Sequence, residues 1–347
     1  MKKKCILVVA FLIALIALGG CGRMKLNEDA EIFKVYSELP EDITNAFIND
    51  FEKDHKGKLK IEIVKTAAKQ GPGRINELKS LDFDVWLGGT AEDYFLADNR
   101  RMLKPYEAKD LRNIPTGLRD KHGTWTGLFT TNLVFLANKK ALAEVDEERP
   151  QAWSDLLDLE LRRNIIISDP SMRQGGYRIL TTFWQLYGEK KFETYAKNLK
   201  LQELTYARDD EAAVEAVRKG EKALTIVTLD LAMSAAAADH NLVISIPADG
   251  TSRKLIGVAI MDKTKKEALS RSFIDYLISD KAKKVLDNSN YYVWPLSDDK
   301  EDYTWGKPYA DVFLVHDDLR WCVLTGEEII EKLQTIDKQG SLLLKGV

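Results

Sequence analysis

Residues 125–138 of the chain read WTGLFTTNLVFLAN, from Trp125 to Asn138. Aromatic, β-branched and other apolar residues dominate this stretch, as they do in β-strands. The run is longer than the roughly 3–10 residues of most strands. We therefore predict one unusually long strand here. Strand-like and helical patterns alternate on both sides of it, which indicates an α/β protein.

The segments before this strand predict the opening unit of an α/β lobe. Ile32, Val35 and Tyr36 form a short apolar run, and residues 43–51 then repeat apolar side chains at helical spacing. A second strand is predicted over 59–64, and 84–87 is typical of a short buried strand. Strand, helix and strand in this order favour a parallel sheet.

The segments after the long strand continue the alternation, and we expect largely parallel sheets throughout. Further strands are predicted over 165–167, 223–227, 242–246 and 256–261. Helical patterns occupy 153–163, 209–219, 232–238, 267–286 and 327–335.

The N-terminal residues have the features of a secretory signal. Three lysines precede the apolar stretch Ile6 to Leu18, which is shorter than the roughly 20 residues that a membrane-spanning helix needs. Leu18-Gly19-Gly20-Cys21 resembles the bacterial lipobox, which implies that Cys21 receives diacylglycerol and becomes the N-terminus. We expect a signal peptide over 1–20, a tether over 21–30 and a cell-envelope protein that is lipid-anchored outside the cytoplasmic membrane.

Length, net charge and cysteine content limit the number of lobes and the class of partner. Removal of the signal leaves about 327 of the 347 residues, more than one hydrophobic core usually supports, so we expect two lobes. The net charge of -3 and a pI near 6.0 give no field that attracts a polyanion, which argues against nucleic acid as a partner. Cys322 is left without a disulfide partner, and we expect it to pack as a small apolar residue.

The sequence carries no familiar catalytic or metal-binding motif. His-Glu-x-x-His, Gly-x-Ser-x-Gly, Cys-x-x-Cys and the P-loop pattern are all absent. The carboxylates of Asp209-Asp210 and Asp317-Asp318 are neighbours in sequence, so their side chains diverge and do not form an acid/base pair. We expect a protein that is not an enzyme and has neither cofactor nor metal. A secreted lipoprotein hydrolase remains an alternative.

Polar loops at predicted strand ends are the candidate binding site. Ligands of open α/β sheets sit beyond the carboxyl ends of strands, where helices begin. Small residues expose backbone N–H groups there, and the helix N-terminus favours an oxyanion. The predicted ligand-binding residues are Ser37, Gly89, Thr90, Thr130, Thr131, Ser171, Arg173, Gln174, Gly175 and Asp230.

Two of these residues have distinct expected roles. Arg173 would give a charge-assisted contact to the oxyanion. Asp230 would meet a hydroxyl or an amine at the other end of the solute. The alternatives are a solvent-exposed charge for Arg173 and a helix cap for Asp230.

The order of segments resembles the extracellular solute-binding proteins of the ferric-iron, phosphonate and sugar-phosphate group, which serve ABC importers. The segments that carry the resemblance are Val35-Tyr36-Ser37, Asp84 to Gly89, Trp125-Thr126-Gly127 leading to Asn138, Pro150 to Leu157, Ser168 to Ser171, Gly220-Glu221, Pro247 to Thr251 and Phe273 to Leu277.

The resemblance implies a type II periplasmic-binding-protein fold with the ligand cleft between two lobes. Lobe 1 would comprise 31–128 plus 250–300, lobe 2 would comprise 129–249, and 301–347 would pack on both. The chain would cross outward near 129–138 and return near 246–256. A monomer would close over its solute and deliver it to an ABC permease, whose own ATPase supplies the energy.

The resemblance also limits the solute. Ferric binders of the group use two adjacent tyrosines in the loop after the strand that here ends at Val227. This chain has Thr228-Leu229-Asp230-Leu231 there, while its pair Tyr291-Tyr292 lies elsewhere and suits packing. We therefore favour a small anionic solute, either an organic phosphate or a phosphonate. Carboxylates, polyols and other small polar solutes stay open, and ferric iron is the main alternative.

Overall fold

The long apolar stretch forms a single strand, β5 (Trp125–Asn138), and every one of its residues is buried. It belongs to a computed structural model that describes residues 30–66, 73–109, 111, 114, 118–172, 175–296, 303, 305–315 and 318–343. The predicted lipidation site Cys21 and the predicted ligand residues Arg173 and Gln174 lie outside these ranges.

Among the described residues, seven of the other strands fall close to the predicted positions, and the short strands at 103–104, 205–207 and 294–295 were not predicted. Their bounds are β1 (Glu31–Ser37), β2 (Leu59–Ile63), β3 (Val85–Thr90), β4 (Leu103–Lys104), β6 (Ile165–Ser168), β7 (Thr205–Ala207), β8 (Leu224–Thr228), β9 (Leu242–Ser245), β10 (Arg253–Met261) and β11 (Trp294–Pro295).

The helices cover the strands on both sides of β5. Their bounds are α1 (Glu41–Asp54), α2 (Arg74–Ser80), α3 (Ala91–Asn99), α4 (Lys139–Glu144), α5 (Gly175–Tyr187), α6 (Glu189–Leu201), α7 (Asp210–Arg218), α8 (Leu229–Ala238), α9 (Glu267–Leu277), α10 (Asp280–Asp287), α11 (Lys307–Ala310), α12 (Leu319–Leu324) and α13 (Gly326–Leu343).

Strand β5 joins two halves of the sheet. Residues 125–132 pair with β10, which continues through β3 and β1 to β2. Residues 133–138 pair with β8 and β9, and β8 continues through β6 to β7. We call these the first and the second half. Because β10 begins at Arg253, opposite Asn132, β5 and β10 lie side by side where the halves meet.

The expectation of largely parallel sheets was wrong, because the sheet is mixed. Strand β1 is parallel to β2 and β3, and β6 is parallel to β7 and β8. Every pairing of β5 and β10, however, is antiparallel. The reason is that β5 runs from the first half into the second and β10 returns in the opposite direction, so each joining strand opposes its neighbours.

Each half has its own aromatic core. In the first half, Phe47 packs against Phe129 with ring centroids 6.3 Å apart. In the second half, the fully buried Trp153 meets the rings of Phe135 and Phe183 at 5.1 and 4.8 Å. Burying one such ring stabilises the fold by roughly 1.5–3 kcal/mol.

The predicted helix over 153–163 was also wrong. The segment forms two short 3₁₀ turns, Trp153–Leu157 and Leu159–Leu161. Asp158 between them has an extended backbone, with φ -64° and ψ 136°, which interrupts helical hydrogen bonding. The Trp153 indole N–H donates to the Gly250 carbonyl at 2.8 Å, so this segment is tied to the chain ahead of β10.

The C-terminal helices pack mainly on the second half. Trp321 of α12 meets Trp184 of α5 with ring centroids 5.7 Å apart, and the Tyr177 hydroxyl donates to the Cys322 carbonyl. Cys322 itself is buried. Helix α12 also lies against α3 of the first half, so this segment touches both halves.

Candidate functional site

The site lies where two sheet edges face each other. Parallel pairing aligns the carboxyl ends of β1 and β3 at one edge, and of β6 and β8 at the other. Helix α3 begins directly after β3, helix α8 directly after β8, and helix α5 shortly after β6. Arg178 in the first turn of α5 forms an ion pair with Glu92 in the first turn of α3. This contact brings the N-termini of α3 and α5 together across the two halves.

Three predicted residues of the first half are engaged in local hydrogen bonds. The Ser37 hydroxyl lies 2.8 Å from that of Thr44 in α1. The Gly89 N–H donates to the Tyr94 hydroxyl at 3.0 Å, and a Cβ at position 89 would lie 2.8–2.9 Å from Trp86 and Tyr94. Thr90 forms a capping box with Asp93 at the start of α3. These residues stabilise the local structure at the carboxyl ends of β1 and β3. Their hydrogen bonds do not indicate a contact with a ligand.

The predicted residues of β5 lie where the halves meet. Thr131 is fully buried, and its hydroxyl donates to Asp230 Oδ1 at 2.9 Å. The Asp230 N–H in turn lies 3.3 Å from the Thr131 oxygen. The structure therefore joins two predicted site residues that are 99 positions apart. Thr130 is buried and pairs with Trp294 of β11.

The predicted residues Ser171 and Gly175 lie between the end of β6 and the start of α5. Ser171 has an exposed side chain, and its N–H donates to Asp169 Oδ1 at 2.9 Å. Gly175 is the first residue of α5. Gly176 follows it, and its N–H donates to Ser168 Oγ at 2.8 Å. A Cβ at position 176 would lie 1.9 Å from the Ser168 carbonyl oxygen, so only glycine allows this close approach of helix to strand.

Asp210 lies beside the predicted site residue Gly175, and the sequence did not single it out. A Cβ at position 175 would lie 2.4 Å from both of its carboxylate oxygens, so this side chain rests against the N-terminus of α5. The pair Asp209-Asp210 does diverge as predicted, since Asp209 caps α7 by accepting from the Ala212 N–H at 2.8 Å. The contact between Asp210 and Gly175 joins residues 35 positions apart, and no local pattern signals it.

A buried charged network supports the first-half edge. Arg74 is 4% exposed and pairs with Glu38 and with Asp93, the latter at 2.8 Å. The Trp86 indole N–H donates to Glu38 Oε1 at 2.5 Å. Burial raises the pKa of Glu38 above its ordinary value, and the positive charge of Arg74 opposes that shift. The network fixes the loop after β1 against the starts of α2 and α3.

The two adjacent tyrosines of the chain, Tyr291 and Tyr292, both pack against aromatic rings. Tyr291 is buried with its ring 6.1 Å from that of Phe129, and Tyr292 meets Trp305 at 5.4 Å. Within the ranges that the structure describes, no group of three or more His, Cys, Asp or Glu side chains is placed to hold a metal ion.

Comparison with known families identifies the chain. Residues 83–312 match the sequence model of the bacterial extracellular solute-binding proteins. The chain belongs to this family. This confirms the resemblance drawn from the order of its segments.

Solved structures confirm the type II periplasmic-binding-protein fold of this solute-binding protein. The periplasmic binding protein AfuA from Actinobacillus pleuropneumoniae, with fructose-6-phosphate bound, has a TM-score of 0.73 at 20% identity, covering 88% of this chain and 98% of its own. The periplasmic binding protein P5PA has a TM-score of 0.76 at 21% identity, with coverage of 88% and 98%. The ferric binding protein from Campylobacter jejuni has a TM-score of 0.70 at 19% identity, and the match covers 88% of this chain and 99% of that protein.

Curated relatives match part of the chain. An uncharacterised protein of Haemophilus influenzae is 27% identical over 56% of this chain and 57% of its own length. An Fe(3+)-binding periplasmic protein of Serratia marcescens is 24% identical over 54% of both chains. This solute-binding protein thus spans about half the length of the curated relatives that it matches. Among its described helices, none combines the length and the apolar character needed to cross a membrane.

Proposed function

We propose that this solute-binding protein captures a small anionic solute between its two halves and delivers it to an ABC permease. The observation that carries the proposal is the convergence of helix N-termini. Helices α3, α5, α7 and α8 all begin at the facing edges, and the ion pair between Arg178 and Glu92 brings α3 and α5 together. Helix N-termini present N–H donors and partial positive charge, which favour an anion.

Organic phosphates and phosphonates are the favoured solutes. The α5 N-terminus, with Gly175 and Gly176, would receive the oxyanion, together with Arg173 and Gln174 from the preceding loop. Asp230, held by Thr131, would accept a hydrogen bond from a hydroxyl or amine on the same solute. A relative with this fold was crystallised with fructose-6-phosphate, a solute with both features.

The proposed cycle requires movement of the two halves. We propose that residues 31–128 plus 250–300 form one lobe and 129–249 the other, with β5 and β10 as the joining strands. Binding would favour a closed arrangement that a permease and its ATPase recognise. The solute leaves unchanged, so no catalytic step is part of this proposal.

A lipid anchor at Cys21 fits this role. We propose that the signal segment is removed, that Cys21 is lipidated, and that the protein works as a monomer in the cell envelope outside the cytoplasmic membrane. The support is the lipobox-like sequence Leu18-Gly19-Gly20-Cys21.

Ferric iron is the alternative solute, since several of the similar proteins are named as ferric-binding proteins. In this chain the residues after β8 are Leu229 and Asp230, and Tyr291 and Tyr292 pack against aromatic rings. Hard ferric iron prefers anionic oxygen ligands, whereas burial, with a smaller contribution from the charge of Asp230, raises the pKa of the Tyr291 phenol and opposes its ionisation. The anionic organic solute is therefore the better supported of the two.

A thermal-shift panel tests the proposal. Phosphate monoesters, phosphonates, carboxylates, neutral sugars and ferric citrate are added singly to the purified chain. A hit at a hundredfold excess over its Kd should stabilise the fold by about 2.7 kcal/mol. Mass spectrometry should then recover the hit unchanged. A response to ferric citrate alone would support the iron alternative, and conversion of a hit into product would support a hydrolase.

A further inference from the structure

The edge of the first half that lies opposite the cleft is formed by four turns. Strands β1, β2 and β3 are parallel and end on the cleft side, so they begin at this other edge. Helices α1, α2 and α3 each follow one of these strands and end at the same edge, as does the antiparallel strand β10. We call the surface of these turns the basic edge; it comprises residues 53–58, 79–84, 99–104 and 262–267.

Contacts between neighbouring turns make the basic edge one continuous surface. Lys263 Nζ donates to the Lys79 carbonyl oxygen at 2.7 Å, and the Asp262 N–H donates to the Met102 carbonyl oxygen at 2.8 Å. These hydrogen bonds join three of the four turns. The fourth turn precedes β2, which pairs with β1 and through it with β3. Charges on the four turns therefore act on the same side of the protein.

Unpaired positive charge is concentrated on this surface. The whole chain has a net charge of -3, so an excess of cations here is local to the basic edge. The exposed cations of the basic edge that make no ion pair within the described part of the chain include Lys53, Lys56, Lys58, Lys79, Arg101 and Lys265.

The anions of the basic edge are mostly neutralised. Those that form an ion pair with a lysine are Asp54, Asp82, Asp84 and Glu267. Asp262, and Glu31 at the start of β1, are exposed and make no ion pair with any residue in the described ranges. Free positive charge therefore exceeds free negative charge at this edge.

The proposed lipid anchor is attached to the chain at the same edge. Strand β1 begins at Glu31, whose N–H donates to the Lys58 carbonyl oxygen at 2.8 Å. Ten residue steps separate Cys21 from Glu31, and a fully extended chain spans at most about 36 Å over that length. A lipid on Cys21 would thus keep the basic edge near the headgroups. A weak attraction then suffices, because tethering makes the contact effectively intramolecular.

The distribution of the cations indicates a broad charged surface as the partner. A site for one phosphate group directs several donors at one point, whereas these side chains belong to separate turns. Anionic phospholipid headgroups present many negative charges over a wide area. Each Lys or Arg near such a surface strengthens binding about fivefold, and the effect falls off within a Debye length.

We propose that the basic edge rests on anionic phospholipid headgroups of the membrane to which the protein is anchored. The cleft lies at the opposite edge of the first half, so this contact leaves the cleft clear of the lipid and open to solute. The inference rests on the membrane location given under the proposed function and does not depend on which solute is bound.

The test measures binding of the mature chain to vesicles. The chain carries Cys21→Ser, so that it lacks acyl chains, and is sedimented with phosphatidylcholine vesicles with or without about 30% phosphatidylglycerol. At about 20 mM salt, binding to the anionic vesicles should be at least about fivefold stronger. Raising the salt to about 300 mM shortens the Debye length from about 20 to about 6 Å and should abolish the difference.

A pair of triple variants with the same change in charge locates the contact. The first replaces three turn residues of the basic edge by Gln and should bind anionic vesicles at least about tenfold more weakly; its positions are Lys56, Lys58 and Lys265. The control replaces three exposed lysines of α6 in the second half by Gln and should bind as the unsubstituted chain does; its positions are Lys190, Lys191 and Lys197. Both variants should keep the melting temperature and the solute affinity.

Three results would overturn the proposal. These are equal binding to neutral and anionic vesicles, an equal loss in the two triple variants, and release from the vesicles by inorganic phosphate but not by chloride at the same ionic strength. The last result would identify a site for single phosphate ions instead. Each of them leaves solute capture standing. Because salt releases this contact, fractionation of Cys21→Ser after a wash at about 300 mM salt tests the lipid anchor separately.

Discussion

The ion pair between Glu92 and Arg178 offers the sharpest test of how the halves interact. Glu92 belongs to α3 of the first half and Arg178 to α5 of the second, with side chains 23% and 14% exposed. Arg178 also donates to the Arg253 carbonyl of β10 at 3.2 Å. Replacing Glu92 with Gln removes the charge that holds the two helix starts together and keeps nearly the same shape.

The size of the effect follows from the partial burial of this pair. Two unit charges about 4 Å apart interact by about 4 kcal/mol at an effective dielectric constant near 20. Solvent screening and side-chain ordering reduce this, and we expect about 1–2 kcal/mol of closure energy. That corresponds to a change of about 5–30-fold in the closed population. Because the solute binds the closed arrangement, its affinity should weaken by the same factor.

The measurement is calorimetry with the best solute from the panel, combined with solution scattering of the solute-free protein. Glu215→Gln is the control, since Glu215 pairs with Arg218 on the exposed face of α7, with side chains 43% and 45% exposed. The control should leave affinity and radius of gyration unchanged. If Glu92→Gln binds as tightly as the wild type with the same scattering, the pair does not contribute to closure.

Three further outcomes are expected. Arg74→Met leaves Glu38 and Asp93, with side chains 15% and 20% exposed, without their cation. It should lower the free energy of unfolding in urea by about 2–4 kcal/mol, somewhat less than for a fully buried pair; a loss below about 1 kcal/mol contradicts the network. Since the pKa of Glu38 is raised in the folded state, its contribution to stability should fall as pH rises from 4.5 through the folded value, and Glu38→Gln should flatten that part of the urea-midpoint profile. Cys21→Ser should move the protein from the washed membrane fraction to the soluble fraction, and persistent membrane association would exclude the lipid anchor.

The sequence predicted the elements whose local pattern is strong. The strand over 125–138 was correct at both ends because its residues are buried on both faces and form one continuous apolar run. At position 153 the local pattern and the folded structure disagree. The apolar residues after it have helical spacing, yet Trp153 is fixed by the Gly250 carbonyl from a distant segment, and the chain forms 3₁₀ turns instead. Tertiary contacts override a weak local preference.

Less of the candidate site than of the fold could be predicted from the sequence. Asp230 was predicted as a ligand residue because it comes shortly after a buried strand, and the structure pairs it with the predicted residue Thr131. Asp210 was set aside as one of two adjacent carboxylates, because its contact with Gly175 exists only once α5 and α7 pack side by side. The pairing of Arg178 with Glu92 likewise depends on the two halves facing each other.

The most direct test of a solute held between the two halves is hydrogen–deuterium exchange with and without a bound phosphate monoester. Solute should slow amide exchange simultaneously in both halves, at 88–92 in the first and at 175–178 and 229–231 in the second. Ordering at helix N-termini protects those N–H groups in the bound form. Protection confined to one half, or placed away from these helix starts, would contradict a solute site between the halves.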